Sequence, residues 1–275
     1  MPQQQTNVPN RRGKPPAMLR CEKLIEITVA DNPSAWTAAG FKVHQHPMPH
    51  RDPFVQVGQV TINLIGGHGG IVSWAFESSP AHNAEMGFIV DGLATTLVSA
   101  RDEERHDLMK PFLASIQSAP LNNPNGVTGL DHIVIGSKNA SRTIGMLAML
   151  GIHPRAPALE RNGKRYWFFK SGDVAIELIE KTSSSSSSSS SSTTPTDTVI
   201  ANPEGSQDGA KFWGLAFACT DVDTLAAGSQ LMRSKPRDAI QGKGRRICIL
   251  DHEKAGISTN VAFITPPSAT LPSKL

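Results

Sequence analysis

The stretch Leu130-Asp131-His132-Ile133-Val134-Ile135 has the apolar and polar pattern of a half-buried strand, and beyond Asn139 the period changes. Ile144, Leu147 and Leu150 then recur at helical spacing until Gly151 supplies a stop. The same order, strand then helix, recurs twice. Leu24 to Val29 is followed by Asp31-Asn32-Pro33, which opens a helix ending at Gly40; Phe212 to Cys219 is followed by Thr220-Asp221, which opens another stopping near Gly228. Asn and Asp side chains accept from the free amides of a first helical turn, and Pro fits there because it has no amide hydrogen to satisfy. Strand pairs repeat as well. Arg165 to Gly172 followed by Val174 to Ile179 has a counterpart in Arg51 to Gly58 followed by Val60 to Ile65, with the arginine, phenylalanine and glycine at the same offsets. Arg245 to Leu250 with Asn260 to Ile264 supplies a further pair, and Ile71 to Glu77 begins a fourth, poorly preserved unit. The repeats predict an α+β fold of tandem βαβββ modules, four modules in two pairs, the N-terminal pair degenerate.

Strand parity sets which residues share a face. With Ile133 and Ile135 turned to the helices, His132, Val134 and Gly136 lie on the opposite side. With Val174, Ile176 and Leu178 turned to the helices, Glu177 joins them there beside Ala175 and Ile179. The Pro- and Asn-rich segment from Pro120 to Asn125 reads as a connector, so the expected domains span 21–119 and 128–267 between tails at 1–20 and 268–275. A fragment from about 126 to 267 should then fold alone. The serine run from Ser183 to Ser192, extended to Pro195, has no apolar face with which to order itself and predicts a solvated loop over 183–195.

With 39% hydrophobic and 19% charged residues the chain is suited to a globular protein, and its 275 residues are enough for two cores. The net charge is only +3, and Arg11, Arg12, Lys14 and Arg20 precede the first acid, so the folded body is near neutral and no nucleic-acid partner is expected. No apolar run is long enough to span a membrane, so no membrane partner is expected either, and the cytoplasm is favoured, with organellar import left open by the acid-free basic start. Cys21, Cys219 and Cys248 lack paired metal spacing and read as buried reduced thiols, a reactive nucleophile being the alternative.

The residues Gly129 to Ile135, Phe168-Phe169-Lys170-Ser171-Gly172, Ile176 to Glu180 and Phe212 to Phe217 resemble the vicinal-oxygen-chelate, or glyoxalase-like, superfamily (the glyoxalase/bleomycin-resistance/dioxygenase type). The resemblance is good over roughly 129–266 and weak over 24–77. It implies that paired modules form a cup for a small molecule, with metal ligands on the first and last strand of a module. His132 and Glu177 occupy those positions. In the partner module the corresponding positions read as Gly214 and Phe263, and in the N-terminal half as Leu24 and Asn63. Two ligands are thus visible, whereas a catalytic metal takes about three or more; His252 is the candidate third. The resemblance allows a divalent metal (Zn, Ni, Mn or Fe) or none, and a homodimer is one assembly it allows.

Trp167, Phe169 and Trp213 are candidates to line a ligand pocket, with core packing the alternative for each. Arg245 and Arg246, in the run Gly242 to Arg246, are candidates to hold an oxyanion, with a solvated turn as the alternative. His44, His46 and His50 have prolines among them and read as an exposed loop, and Gly66 to Gly70 reads as a flexible connection. The functional expectation is a glyoxalase-like lyase or isomerase acting on a small carbonyl- or hydroxyl-bearing compound, with Glu177 as base and His132 orienting it, sharing a metal or polarising the substrate. A non-catalytic small-molecule binding protein is the second reading and a non-haem iron dioxygenase the third.

Overall fold

The computed structural model describes residues 20–46, 48, 50–79, 85–99, 123–181, 209–240 and 244–266. Residues 1–19 of the expected N-terminal tail, the C-terminal tail, the first part of the connector and the serine loop over 183–195 lie outside the described residues, while Arg20, placed in the tail, opens the first strand.

Two sheets carry the fold. The first contains β1 (Arg20–Asp31), β2 (Val43–His44), β3 (Phe54–Val57), β4 (Val60–Leu64), β5 (His68–Ser79), β6 (Met86–Val90) and β7 (Leu93–Ser99), in the order β2-β3-β4-β1-β5-β7-β6. The second contains β8 (Val127–Ser137), β9 (Leu159–Arg161), β10 (Lys164–Ser171), β11 (Val174–Lys181), β12 (Lys211–Cys219), β13 (Arg237–Asp238), β14 (Arg246–Ile249) and β15 (Asn260–Ile264), in the order β13-β14-β15-β12-β8-β11-β10-β9. Each sheet is built around an antiparallel central pair, β1 with β5 and β8 with β12. Each central strand has a parallel neighbour on its outer side: β4, β7, β11 and β15.

Parallel neighbours need a crossover connection. Helices α1 (Pro33–Ala38), α2 (Ala140–Met149) and α3 (Val222–Gly228) lie in three of these crossovers. Their starts follow the capping logic unevenly. Asn139 accepts from the Arg142 amide at 3.0 Å and Asp221 from the Thr224 amide at 2.9 Å. Asn32 makes no side-chain cap, and Pro33 opens α1 instead. The two repeated hairpins close through the same left-handed turn, Gly58 at φ 59° and Gly172 at φ 60°. Gly172 also lies against the other half of the chain, where a Cβ would come within 2.6 Å of the Lys23 Cβ.

The apolar faces of both sheets meet in one hydrophobic core. Phe41 packs against Phe217 with ring centroids 4.9 Å apart and against Phe263 at 6.1 Å, while Trp36 meets Phe217 edge-on at 6.1 Å. Asp31, at the end of β1 and fully buried, ties the halves through polar contacts. It accepts from the Ser258 amide at 2.7 Å, the Ser258 hydroxyl, the Thr259 hydroxyl at 3.1 Å and the Trp36 indole at 3.3 Å. This junction bears on the expectation that 126–267 folds alone: in the intact chain, part of the cover of Phe217 and Phe263 is supplied by the N-terminal half.

Cys219 and Cys248 are buried and Cys21 is half-buried, all three as free thiols. Burial, with the Glu22 charge second, pushes the Cys21 thiol up to about 12, and burial, followed by Cys219 and Asp223, pushes Cys248 to about 11. Thiols held protonated in this way are poor nucleophiles at neutral pH.

Candidate functional site

The site begins with an irregularity in β8. Ala216 pairs with His132 and Phe217 with Leu130, so Asp131 has no partner and bulges from the ladder. A bulge lets adjacent residues point to one side of a sheet and is frequent beside active sites. Leu130, Ile133 and Ile135 accordingly all enter the helix-side core, although the first two are three residues apart. Asp131 and His132 share the opposite, concave side, with the Asp131 Oδ1 2.8 Å from His132 Nδ1.

Glu177 reaches the same face from β11, where it pairs with Val134 while Ala175 pairs with His132. His132 Nε2 lies 3.4 Å from Glu177 Oε2, and both residues are 3% exposed. Arg245 completes the chain of contacts by making a two-nitrogen ion pair with Asp131, the longer contact at 3.4 Å, and donating from Nε to the Thr265 carbonyl at 2.7 Å. Burial alone would raise Asp131, but hydrogen bonds from His132 and Arg245, reinforced by their charges, outweigh it and hold the carboxyl below its ordinary range. An ionised Asp131 accepts only, so Nδ1 of His132 carries the hydrogen and Nε2 is turned to Glu177.

On the neighbouring strand, β10, the register decides which aromatic residues join the site. Phe168 pairs with Glu177 and Tyr166 with Ile179, so these two face the cup. The expected pocket residues Trp167 and Phe169 pair with Leu178 and Ile176 and pack on the helix side, Phe169 within the core and Trp167 against it. Tyr166, the chain's single tyrosine, is 8% exposed, and burial, then the charge of Glu177, raise its phenol above the ordinary range while Arg161 opposes them. Because no other tyrosine contributes, the near-ultraviolet phenolate band reports this group alone. Its midpoint is expected above that of free tyrosine, and Glu177→Gln is expected to lower it; equal midpoints in parent and variant would show that the carboxylate does not act on the phenol.

The remaining candidates lie elsewhere. Trp213 is 55% exposed at a second bulge, and its carbonyl accepts from the Asn260 side chain at 2.8 Å. Arg246 pairs with Asp223 at 2.8 Å and donates to the Pro236 carbonyl at 3.2 Å. Arg245 is committed to Asp131, and Arg246 is tied to Asp223 and Pro236 through its Nη2. His252 opens the short helix α4 (His252–Ala255), with Nδ1 3.3 Å from the Ile257 carbonyl. His44 and His46, expected in an exposed loop, are half-buried and pack on Phe54 with ring centroids 5.5 and 5.9 Å away. His50 is exposed.

Pairing also redefines the equivalent positions. Val134 pairs with Gly214 and His132 with Ala216, so exchanging the central strands carries His132 onto Gly214 and Val134 onto Ala216. Glu177 pairs with Val134, and Ala262 pairs with Ala216; the counterpart of Glu177 is therefore Ala262, while Phe263 points into the core. In the first sheet Asn63, the hairpin counterpart of Glu177, pairs with Thr28, which makes Glu26 the counterpart of His132 and leaves Leu24 in the core beside Ile27. Gly214 has no room for a ligating side chain, since a Cβ would lie 2.6 Å from the Asn260 carbonyl oxygen.

The donor set available to a metal in the C-terminal cup is thus His132 and Glu177, with no donors on the opposing strands. Among the described residues no group of three or more His, Cys, Asp or Glu side chains is placed to hold a metal ion, and His252 does not join the pair. Two donors fall short of the three or more that a protein-held catalytic metal takes, so the described residues do not fit one.

No family model and no curated protein matches the chain. Among solved structures, a xylose isomerase-like TIM barrel/4-hydroxyphenylpyruvate dioxygenase fusion protein matches with a TM-score of 0.52 and 12% identity, over 96% of this chain and 52% of that one. The chain thus spans about half the length of the fusion protein. A 4-hydroxymandelate synthase mutant from Streptomyces coelicolor matches at 0.49 and 12% identity over 90% of this chain and 93% of its own. Methylmalonyl-CoA epimerase from Mycobacterium tuberculosis matches at 0.37 and 21% identity over 52% of this chain and 90% of its own. The curled sheets of this chain have the vicinal-oxygen-chelate, glyoxalase-like fold. Likeness at these identities establishes the fold and leaves the chemistry to the site. Among the described residues no helix is long and apolar enough to cross a membrane.

Proposed function

We propose that the chain is a four-module glyoxalase-like protein whose C-terminal cup carries out metal-free proton transfer on a small carbonyl compound, a lyase or isomerase type of chemistry with Glu177 as base. The observation that carries this reading is the buried contact of 3.4 Å between His132 Nε2 and Glu177 Oε2, backed by Asp131 and Arg245. Glu177 takes the proton from the carbon next to the carbonyl. The Nε2 lone pair of His132 provides the next position for that proton once Glu177 carries it. Asp131 fixes the imidazole tautomer, and the Arg245 guanidinium neutralises Asp131, so the charge beside Nδ1 of His132 is cancelled. Gly214, Ala216 and Ala262 place no ligating or bulky side chain opposite these groups.

The same small residues support a second reading, a binding protein that encloses a small molecule without turning it over. The iron dioxygenase reading loses support because the ligand positions opposite His132 and Glu177 are Gly214 and Ala262. Incubation of the intact protein in deuterated water with a panel of small ketones and aldehydes tests the choice. Mass spectrometry is expected to show deuterium entering next to the carbonyl of at least one of them. No incorporation into any, together with an organic ligand retained through purification, would replace catalysis by binding.

A further inference from the structure

We propose that the Tyr166 hydroxyl is a catalytic residue of this cup: it donates a hydrogen bond to the substrate's carbonyl oxygen and stabilises the enolate that forms when Glu177 takes the proton. The proposal rests on the base reading of Glu177 and narrows the substrate to compounds with a carbonyl oxygen and an acidic hydrogen on the adjacent carbon.

Three observations lead to it. Antiparallel pairing of Tyr166 with Ile179 and of Phe168 with Glu177 puts the phenol on the same face as the carboxylate, one diagonal position away. Tyr166 is only 8% exposed yet stands apart from the helix-side core, in which Phe169 is enclosed, so its ring is buried within the cup wall. Its hydroxyl makes no hydrogen bond among the described residues, and it is absent from the buried polar atoms sealed away without a partner, which are Arg165 Nε, Ser171 Oγ, Glu180 Oε2 and Arg246 Nε. A buried tyrosine normally finds a partner for its hydroxyl. Here the ring is enclosed on the face that carries Glu177 and the hydroxyl has no partner among the described residues, a place that a substrate oxygen would fill.

Chemistry assigns the role. When the C–H bond breaks, its proton moves to a Glu177 oxygen and its electron pair forms a carbon–carbon double bond. The carbonyl π pair moves onto oxygen, and the proton returns to carbon from Glu177 at the end, so nothing is oxidised or reduced. The oxygen charge that develops needs a donor or a Lewis acid. With the ligand positions at Gly214 and Ala262 empty of donors, the phenol takes that part. Burial and the Glu177 charge both keep it protonated, so it donates at neutral pH.

Tyr166→Phe keeps the ring and removes only the hydroxyl, and unchanged circular dichroism is expected of it. Acetophenone, a ketone with exchangeable methyl hydrogens, serves as the probe. In the intact protein at saturating acetophenone, the infrared carbonyl stretch is expected to move to lower frequency, and in Tyr166→Phe that shift should vanish. Deuterium exchange into the methyl group should fall roughly 100-fold in the variant, the usual loss for one oxyanion donor. A parent without the infrared shift, or a variant that retains it, overturns the proposal. Glu177→Gln separates the two readings. Exchange lost in Glu177→Gln but unchanged in Tyr166→Phe leaves the base and removes the phenol; exchange at the parent rate in Glu177→Gln removes the base, and the infrared shift alone then judges the phenol.

Discussion

Glu177→Gln is expected to reduce turnover of a responsive carbonyl substrate by about 100-fold or more, the range that a positioned general base contributes, while leaving the fold intact. Gln has the size of Glu and still offers an oxygen and an amide to Nε2 of His132, so the buried contact at 3.4 Å survives in altered form. It lacks the ability to accept a proton as a base. Asp131→Asn should have a smaller effect on kcat, because Asn can still accept from Nδ1 but leaves Arg245 without its ion partner, and the imidazole is then held less firmly. Steady-state rates with thermal melting as the control provide the measurement. Full turnover in Glu177→Gln would mean that this carboxylate is not the base.

Phe41→Ala is expected to destabilise the whole described fold by about 3–5 kcal/mol, the cost of deleting a buried phenylalanine. The residue belongs to the N-terminal half, yet its ring packs on Phe217 and Phe263 of the C-terminal sheet. A cavity there loosens both sheets, so denaturant unfolding followed by circular dichroism and by tryptophan fluorescence should shift together in one transition. The fragment 126–267, expected from sequence to fold alone, would lack Phe41, Trp36 and the Asp31 carboxylate that receives Ser258 and Thr259. A Phe41→Ala protein with two separated transitions, the second at the parent's midpoint, would restore two independent domains.

Local signals in the chain were enough to mark the strands and helices around the site. Alternation along Val174 to Ile179 and around Ile133 and Ile135 put His132 and Glu177 on one face, and the structure brings them together there. The repeated Arg, Phe and Gly offsets identified hairpins that close through the same turn at Gly58 and Gly172. Asn139 and Asp221 cap the helices they were expected to cap. These features follow from nearest neighbours along the chain: side-chain parity within a strand, a carboxamide or carboxylate beside free amides, a left-handed turn that glycine accepts.

Tertiary structure alone decided what depends on pairing between strands. The bulge at Asp131 exists only relative to β12, and it turns Asp131 to the side of His132 where unbroken alternation would have placed it with Ile133. The corresponding irregularity between Leu24 and Glu26 makes Glu26, and not Leu24, the counterpart of His132. The run Tyr166-Trp167-Phe168-Phe169 is aromatic throughout, so its pattern contains no face, and only pairing with β11 turns Tyr166 and Phe168 toward Glu177. Arg245 is far from Asp131 in sequence, and no spacing foretells their ion pair. Sequence order fixes local geometry because adjacent residues share a backbone; which residues meet across the cup is set by strand register and by packing of two sheets on one core, which only the folded chain contains.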